Sequence, residues 1–200
     1  MPATKQTPIE TVWTIGHSTR TLDALVEAIE PYGVEIVVDV RRFPGSRRHP
    51  QFARESLAAS LPERGIAYRW MPELGGRRRA ASDSPNTAWR NASFRGYADY
   101  MATEAFATAF DDLLQIARGQ RTVIMCAELL WWRCHRALIS DALRIRSLEV
   151  VHIVDASESI RHPFTSAARV IDGRLSYAAS DERQQMQLLW CCASDGRCHS

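Results

Sequence analysis

Apolar and polar runs take turns along this chain in a way that predicts strands alternating with helices. Val12-Trp13-Thr14-Ile15 reads as a first strand, stopped at Gly16. Thr21 then stands as an N-cap. Leu22, Leu25, Val26 and Ile29 follow at i, i+3, i+4 and i+7, one apolar helix face that Pro31 ends. Ile36-Val37-Val38-Asp39-Val40 is a continuous apolar run of strand length, as expected of a strand covered on both faces. A short helix over about 54–64, with Leu57 and Leu61 inward, stops at Gly65, a natural C-cap, and 66–70 forms a third strand. Phe94, Tyr97, Ala98 and Met101, then Phe106, Ala109, Phe110, Leu113 and Leu114, mark a helix in two pieces that Gly119 closes. A fourth strand covers 122–126. A helix from about 134 to 145 carries Leu138, Ile139, Ala142 and Leu143 inward, and 150–154 is the fifth strand.

Such alternation predicts an α/β fold: an open, mainly parallel five-stranded sheet with right-handed crossovers and helices on both faces, a Rossmann-like three-layer arrangement. After Asp155 the pattern changes. Runs at 169–171 and 174–177 flank Asp172-Gly173, a strong hairpin signal, and 182–190 reads as a last helix. With no internal repeat and no linker, 1–200 reads as a single domain with its core over about 12–177 and flexible tails at 1–10 and 191–200. Two hundred residues suffice for one full hydrophobic core.

Composition adds two things. The chain lacks an apolar run of membrane length and its polar first ten residues lack the pattern of a secretory signal, so a cytoplasmic protein without a membrane partner is expected. The five cysteines, Cys126, Cys134, Cys191, Cys192 and Cys198, are an odd count in that context and read as reduced thiols. Charge is unevenly spread: 41–95 holds 12 arginines against four acids, +8, while the whole chain is +2, leaving −6 elsewhere. Such clustering points to an acidic partner such as a phosphate-bearing small molecule or nucleic acid.

In open parallel sheets, ligands sit in the crevice beyond the carboxyl ends of the strands, and that rule selects the candidate residues. The first strand ends in Gly16-His17-Ser18, the second in Asp39-Val40-Arg41-Arg42, and the third leads to Gly75-Gly76-Arg77. The fourth ends in Cys126-Ala127-Glu128, and its loop closes with Cys134-His135-Arg136 at a helix start. Asp39, at the end of an apolar strand, needs a cationic partner, which Arg41 or Arg136 can supply. Arg41, Arg77 and Arg136 are candidates to hold an anion, with Ser18, Asp39 and the backbone of Gly75 and Gly76 shaping its cradle. A cysteine at a strand end is usually a small buried apolar side chain, which is the plain reading of Cys126. Cys134 differs, because a helix start and adjacent cations lower a thiol pKa and favour the nucleophilic thiolate. His17 and His135 are candidate acid–base groups, with Glu128 orienting one of them. Arg136 lies too far from Cys126 for a phosphatase loop.

At these residues the chain resembles a bacterial and archaeal family, domain of unknown function 488, over about 12–177. The resemblance rests on Thr14-Ile-Gly-His-Ser18, on Asp39-Val-Arg41 with Pro44 and Ser46, and on Leu74-Gly-Gly76 with Arg77. It rests also on Cys126-Ala-Glu128 followed by Cys134-His-Arg136, and on His152-Ile153. The segment Leu129-Leu130-Trp131-Trp132-Arg133 departs from the family's charged, proline-containing pattern; its tryptophans either stack on a base or pack inward. The resemblance implies the fold and no particular reaction.

Three functional readings follow. The leading one is a thiol-dependent hydrolase or transferase acting on a phosphate-bearing nucleotide or nucleic-acid substrate, with no cofactor. The second is a nucleic-acid-binding module without chemistry. The third is a metal protein, in which Cys126, Cys134 and His135 supply ligands and His17 a fourth.

Overall fold

A computed structural model describes residues 11–45 and 47–179. The expected last helix at 182–190 and both tails lie outside the described residues. The strands are β1 (Thr11–Gly16), β2 (Ile36–Asp39), β3 (Ala67–Trp70), β4 (Thr122–Cys126) and β5 (Glu149–Ile153), with a short β6 (Ser159–Arg161). They form one sheet in the order β3-β2-β4-β1-β5-β6. The first five are mutually parallel and β6 pairs antiparallel to β5. β6 is an addition to the expected five: three exposed residues carry no readable periodicity, and β5 alone recruits them.

The helices are α1 (Leu22–Ile29), α2 (Arg54–Ser60), α3 (Ala92–Met101), α4 (Glu104–Gly119) and α5 (Arg136–Ile145). Thr21 caps α1 as expected, its hydroxyl accepting from the Ala24 N–H. The helix expected over 54–64 is divided, because Pro62 interrupts it; a single 3-10 turn, Pro62–Arg64, carries the chain to Gly65 at φ +75°. α5 begins two residues later than expected, so Cys134 is extended backbone ahead of the helix and His135 occupies the cap.

Side chains on alternate strand positions divide between two cores. Trp13, Ile15, Val37, Val123 and Met125 pack on Leu25, Ile29 and Leu57 of α1 and α2. Val12, Val38, Ile124 and Cys126 pack on the other face against α3, α4 and α5, among them Phe106, Leu113 and Leu138. This is the expected three-layer plan. The hairpin is also present: β7 (Arg169–Ile171) and β8 (Arg174–Ser176) turn through Asp172 at φ +49° and Gly173 at φ +73°. Among the described residues no helix is long and apolar enough to cross a membrane.

The topology places the crevice. β1 and β2 hand on to helices of one face, whereas β4, lying between them, hands on to α5 on the other. The connection from β4 therefore leaves toward the face opposite to those of both its neighbours, which opens a gap beyond its carboxyl end.

Candidate anion and thiol site at the strand ends

Backbone contacts bring β1 and β4 ends together. The His17 and Ser18 N–H groups donate to the Cys126 and Ala127 carbonyls at 2.9 and 3.0 Å. Gly16 makes this approach available, since a Cβ there would overlap the Glu128 carbonyl. Ser18 completes the turn at φ +46°, and its contribution to the site is through its backbone.

One half of the site is built on Asp39. Its carboxylate, fully buried, accepts from Arg41 Nε at 2.8 Å, Arg41 Nη2 at 2.6 Å, the Arg41 N–H at 3.0 Å and the Tyr68 hydroxyl at 2.8 Å. Of the two partners open to Asp39, Arg41 is therefore the one it has. Arg41 Nη2 also donates to the Phe52 carbonyl and Nη1 to His17 Nε2 at 3.0 Å. These bonds engage Nε, both hydrogens of Nη2 and one of Nη1, so Arg41 offers a fixed charge and a single remaining Nη1 hydrogen rather than a free fork. His17 donates from Nδ1 to the Ser18 carbonyl at 3.0 Å and stacks on Phe52 at 4.0 Å. Burial, helped by the Arg41 charge, pushes its pKa down to about 4, so it is neutral at pH 7 and holds Arg41 in place.

The other half is sulfur. The ligand atoms of Cys126, Cys134 and His135 all lie within 4.8 Å of one another. Cys134 Sγ is 3.6 Å from His135 Nδ1 and receives the Arg136 Nε–H at 3.4 Å. Arg136 is 1% exposed, and among the described residues no carboxylate pairs with it. Its Nη2 donates to the Glu128 carbonyl at 2.5 Å and its Nη1 to Thr14 Oγ1 at 3.4 Å. A buried guanidinium needs a counter-charge, and the sulfur of Cys134 is the group placed to carry it. Burial works to raise the Cys134 thiol, but the hydrogen bond from Cys126 and the charges of His135 and Arg136 outweigh it and hold it well below its usual range. Cys126, which shares that bond and is also buried, is held well above.

The two halves meet at a hollow of about 150 Å³, lined by Arg41 and Arg42 after β2, Gly76 and Arg77 after β3, Cys126 on β4 and His135 before α5. An adjoining hollow of about 270 Å³ shares Gly76, Arg77, Cys126 and His135 and adds Glu128, Arg133 and Cys134. The loop after β3 is fixed there by α3: Tyr97 and Tyr100 donate to the Leu74 and Glu73 carbonyls at 2.7 Å, and Arg78 lies 3.6 Å over the Tyr100 ring. Gly75 and Gly76 make the close packing available, because a Cβ would come within 2.9 Å of Arg42 Cα at the first and 2.8 Å of His135 Nδ1 at the second. Arg77, exposed and at φ +60°, makes no side-chain hydrogen bond or ion pair among the described residues. Glu128 is placed differently from its expected orienting part: its side chain is exposed, and its carbonyl is what the network uses.

A further set of residues was missed in the sequence. Behind Arg136 runs a buried chain from Thr14 Oγ1 to His152 Nδ1 (2.6 Å), from His152 Nε2 to His162 Nδ1 (2.8 Å), and from His162 Nε2 to Asp141 (3.0 Å). Thr165 and Tyr177 complete the Asp141 shell with hydroxyl bonds of 2.6 and 2.9 Å. Burial and the neighbouring His162 push His152 down to about 2. With His152 neutral, every bond from Arg136 to Asp141 points the same way: Arg136 donates to Thr14, Thr14 to His152, His152 to His162, His162 to Asp141. Trp131 packs inward, stacked on His152 at 4.3 Å and 9°, whereas Trp132 is half exposed. The one sequence signal for this chain was the His152-Ile153 pair, and nothing in its spacing names Thr14 or Asp141 as partners.

The family model for "Domain of unknown function DUF488" matches residues 21–143, and the chain belongs to that family. No curated protein matches the chain, and no solved structure does.

Proposed function

We propose that this DUF488 member is an enzyme, a thiol-dependent hydrolase or transferase, that acts on a phosphate-bearing substrate, a nucleotide or nucleic acid, above the carboxyl end of β4. The observation that carries this reading is the meeting of a cationic hollow with a sulfur cluster. The 150 Å³ hollow has three arginines and no acid in its lining, which also includes Cys126 and His135. Arg77 is the arm that grips the anion, because its guanidinium is exposed and uncommitted. Arg41 supplies fixed positive charge and one donor, with Asp39, Tyr68 and His17 as its mount. Gly75 and Gly76 bring the loop close enough for the anion to touch both loop and sulfur cluster.

The test is titration of the full chain with a panel of nucleotides and short single-stranded DNA and RNA at low and moderate salt. Binding that weakens with salt is expected, and Arg77→Ala weakens it roughly 10- to 100-fold, the worth of a charge-assisted hydrogen bond. Absence of binding to every phosphate-bearing probe at low salt overturns the reading. Turnover of one of the bound probes that disappears in the Cys126→Ser, Cys134→Ser double variant separates an enzyme from a binding module.

A further inference from the structure

We infer that Cys126, Cys134 and His135 form a three-ligand site for a thiophilic divalent cation of the zinc class, open on its fourth side to the hollow that Arg77 borders. The inference rests on the proposed phosphate chemistry for its substrate, but the cation site itself stands on separate observations.

The first is the donor set. Among the described residues these three form the group of His, Cys, Asp or Glu side chains whose ligand atoms converge within 4.8 Å. Two sulfurs and an imidazole nitrogen suit a borderline-soft ion with no geometric demand of its own. The second is an edge length. A tetrahedral zinc with Zn–S of about 2.3 Å and Zn–N of about 2.0–2.1 Å separates a sulfur from a nitrogen ligand by roughly 3.5 Å. Cys134 Sγ and His135 Nδ1 stand 3.6 Å apart.

The third is the tautomer of His135. Its Nε2 lies 3.2 Å from the Val40 carbonyl, which only accepts, so Nε2 keeps a proton in either charge state. Nδ1, 3.6 Å from the Cys134 sulfur, is the nitrogen that turns a lone pair to the ion on loading. An imidazole held by a backbone carbonyl on its far nitrogen is the usual outer support of a metal-bound histidine. Arg136 Nε, at 3.4 Å, supports the Cys134 sulfur in the same way. The fourth is space. At position 76 any side chain would begin 2.8 Å from that Nδ1, and the residue there is glycine.

The charge balance answers the objection that arginines repel a cation. Cys134 already carries the charge that Arg136 needs, so loading releases the remaining protons of Cys126 and His135 to solvent. Two thiolates, one guanidinium and a divalent ion then leave +1 for an anionic oxygen at the open position to cancel. His17, expected as a fourth ligand, is engaged with Arg41 and the Ser18 carbonyl. Three protein ligands with an open position are the pattern of catalytic rather than structural zinc. The open position takes an oxygen, from water or from the phosphate that Arg77 holds.

The experiment uses the full chain, untagged, with Zn²⁺ and Co²⁺ as probes. Elemental analysis after dialysis is expected to give about one zinc per chain, and Co²⁺ to give sulfur-to-cobalt charge-transfer bands with the intense visible bands of a tetrahedral ion. Cys126→Ser and Cys134→Ser each abolish the bands, whereas the triple variant Cys191→Ser, Cys192→Ser, Cys198→Ser keeps them. Wild-type chain that shows no such spectrum overturns the inference, and so do bands that survive in Cys126→Ser and Cys134→Ser or vanish with the tail triple variant. Phosphate-probe binding on the same samples separates the two readings. Metal without probe binding sinks the proposed function alone, and probe binding without metal sinks this inference alone.

Discussion

Replacing Thr14 by valine removes one buried hydroxyl and keeps its shape, and the structure sets what that costs. Thr14 is 0% exposed; its Oγ1 donates to His152 Nδ1 across 2.6 Å and accepts from Arg136 Nη1 across 3.4 Å. The short bond carries most of the effect. Without it the His152 nitrogen is left unpaired in the interior, at a cost of about 1–3 kcal/mol. The longer bond is at the limit of geometry, so its loss adds little. The extra methyl recovers about 0.8 kcal/mol at most. Thr14→Val is therefore destabilising by roughly 1–2 kcal/mol, read as a lower urea midpoint with an unchanged slope. Thr14→Ser, which keeps the hydroxyl, stays within about 1 kcal/mol of the parent. A Thr14→Val midpoint equal to or above that of the parent, with Thr14→Ser lower, would show that the hydroxyl is not the link we describe.

Other consequences are as direct. His152 is neutral in the fold, with its pKa pushed down to about 2 from an ordinary 6.5. Below pH 6.5 the unfolded chain gains a proton there that the native chain does not, so stability is full above that pH and falls as pH drops. The loss is about 1.4 kcal/mol per unit, or about 2 kcal/mol by pH 5; urea curves at pH 7, 6 and 5 that superimpose refute it. Asp39→Asn leaves buried Arg41 without its counter-charge and costs about 3–5 kcal/mol. Tyr68→Phe, which removes one of the bonds to Asp39, costs about 1 kcal/mol; thermal melts that rank the two the other way contradict the assignment of Asp39 as the mount. Gly76→Ala forces His135 aside and costs about 1–3 kcal/mol, and its crystal structure should show the imidazole displaced; an unmoved ring at parental stability counts against the close packing. Arg77→Ala changes stability by less than about 0.5 kcal/mol, so a large fall in melting temperature would assign Arg77 to the fold instead of the ligand.

How much of this could be read from the chain alone depends on how local each signal is. The layer plan was legible because each strand and helix declares itself within a few residues, and the rule of parallel strand ends then gathered His17, Arg41, Gly76, Cys126 and His135 without knowledge of strand order. Asp39 announced its need for a cation by standing at the end of an apolar run. What the cation would do was hidden: a guanidinium looks the same whether it faces a ligand or, like Arg41 and Arg136, spends its donors on carbonyls and a neighbour. The polar chain behind the sulfurs was hidden for the opposite reason. Thr14 and His152 are 138 residues apart, and each reads singly as an ordinary strand residue. β6 escaped because its three residues take their conformation from β5, not from their own pattern.

The position of β4 has a consequence for how the molecule is made. β1 and β2 are both complete by residue 39, yet they do not touch; each lines a slot that stays vacant until residues 122–126 arrive to fill it. A ribosome-bound chain of some hundred residues therefore shows two raw, apolar strand edges to its surroundings, the situation in which nascent chains depend most on holding factors. Insertion of the central strand is at once the step that closes the sheet and the step that delivers Cys126, so a chain stalled before that point has neither a finished framework nor any reactive centre.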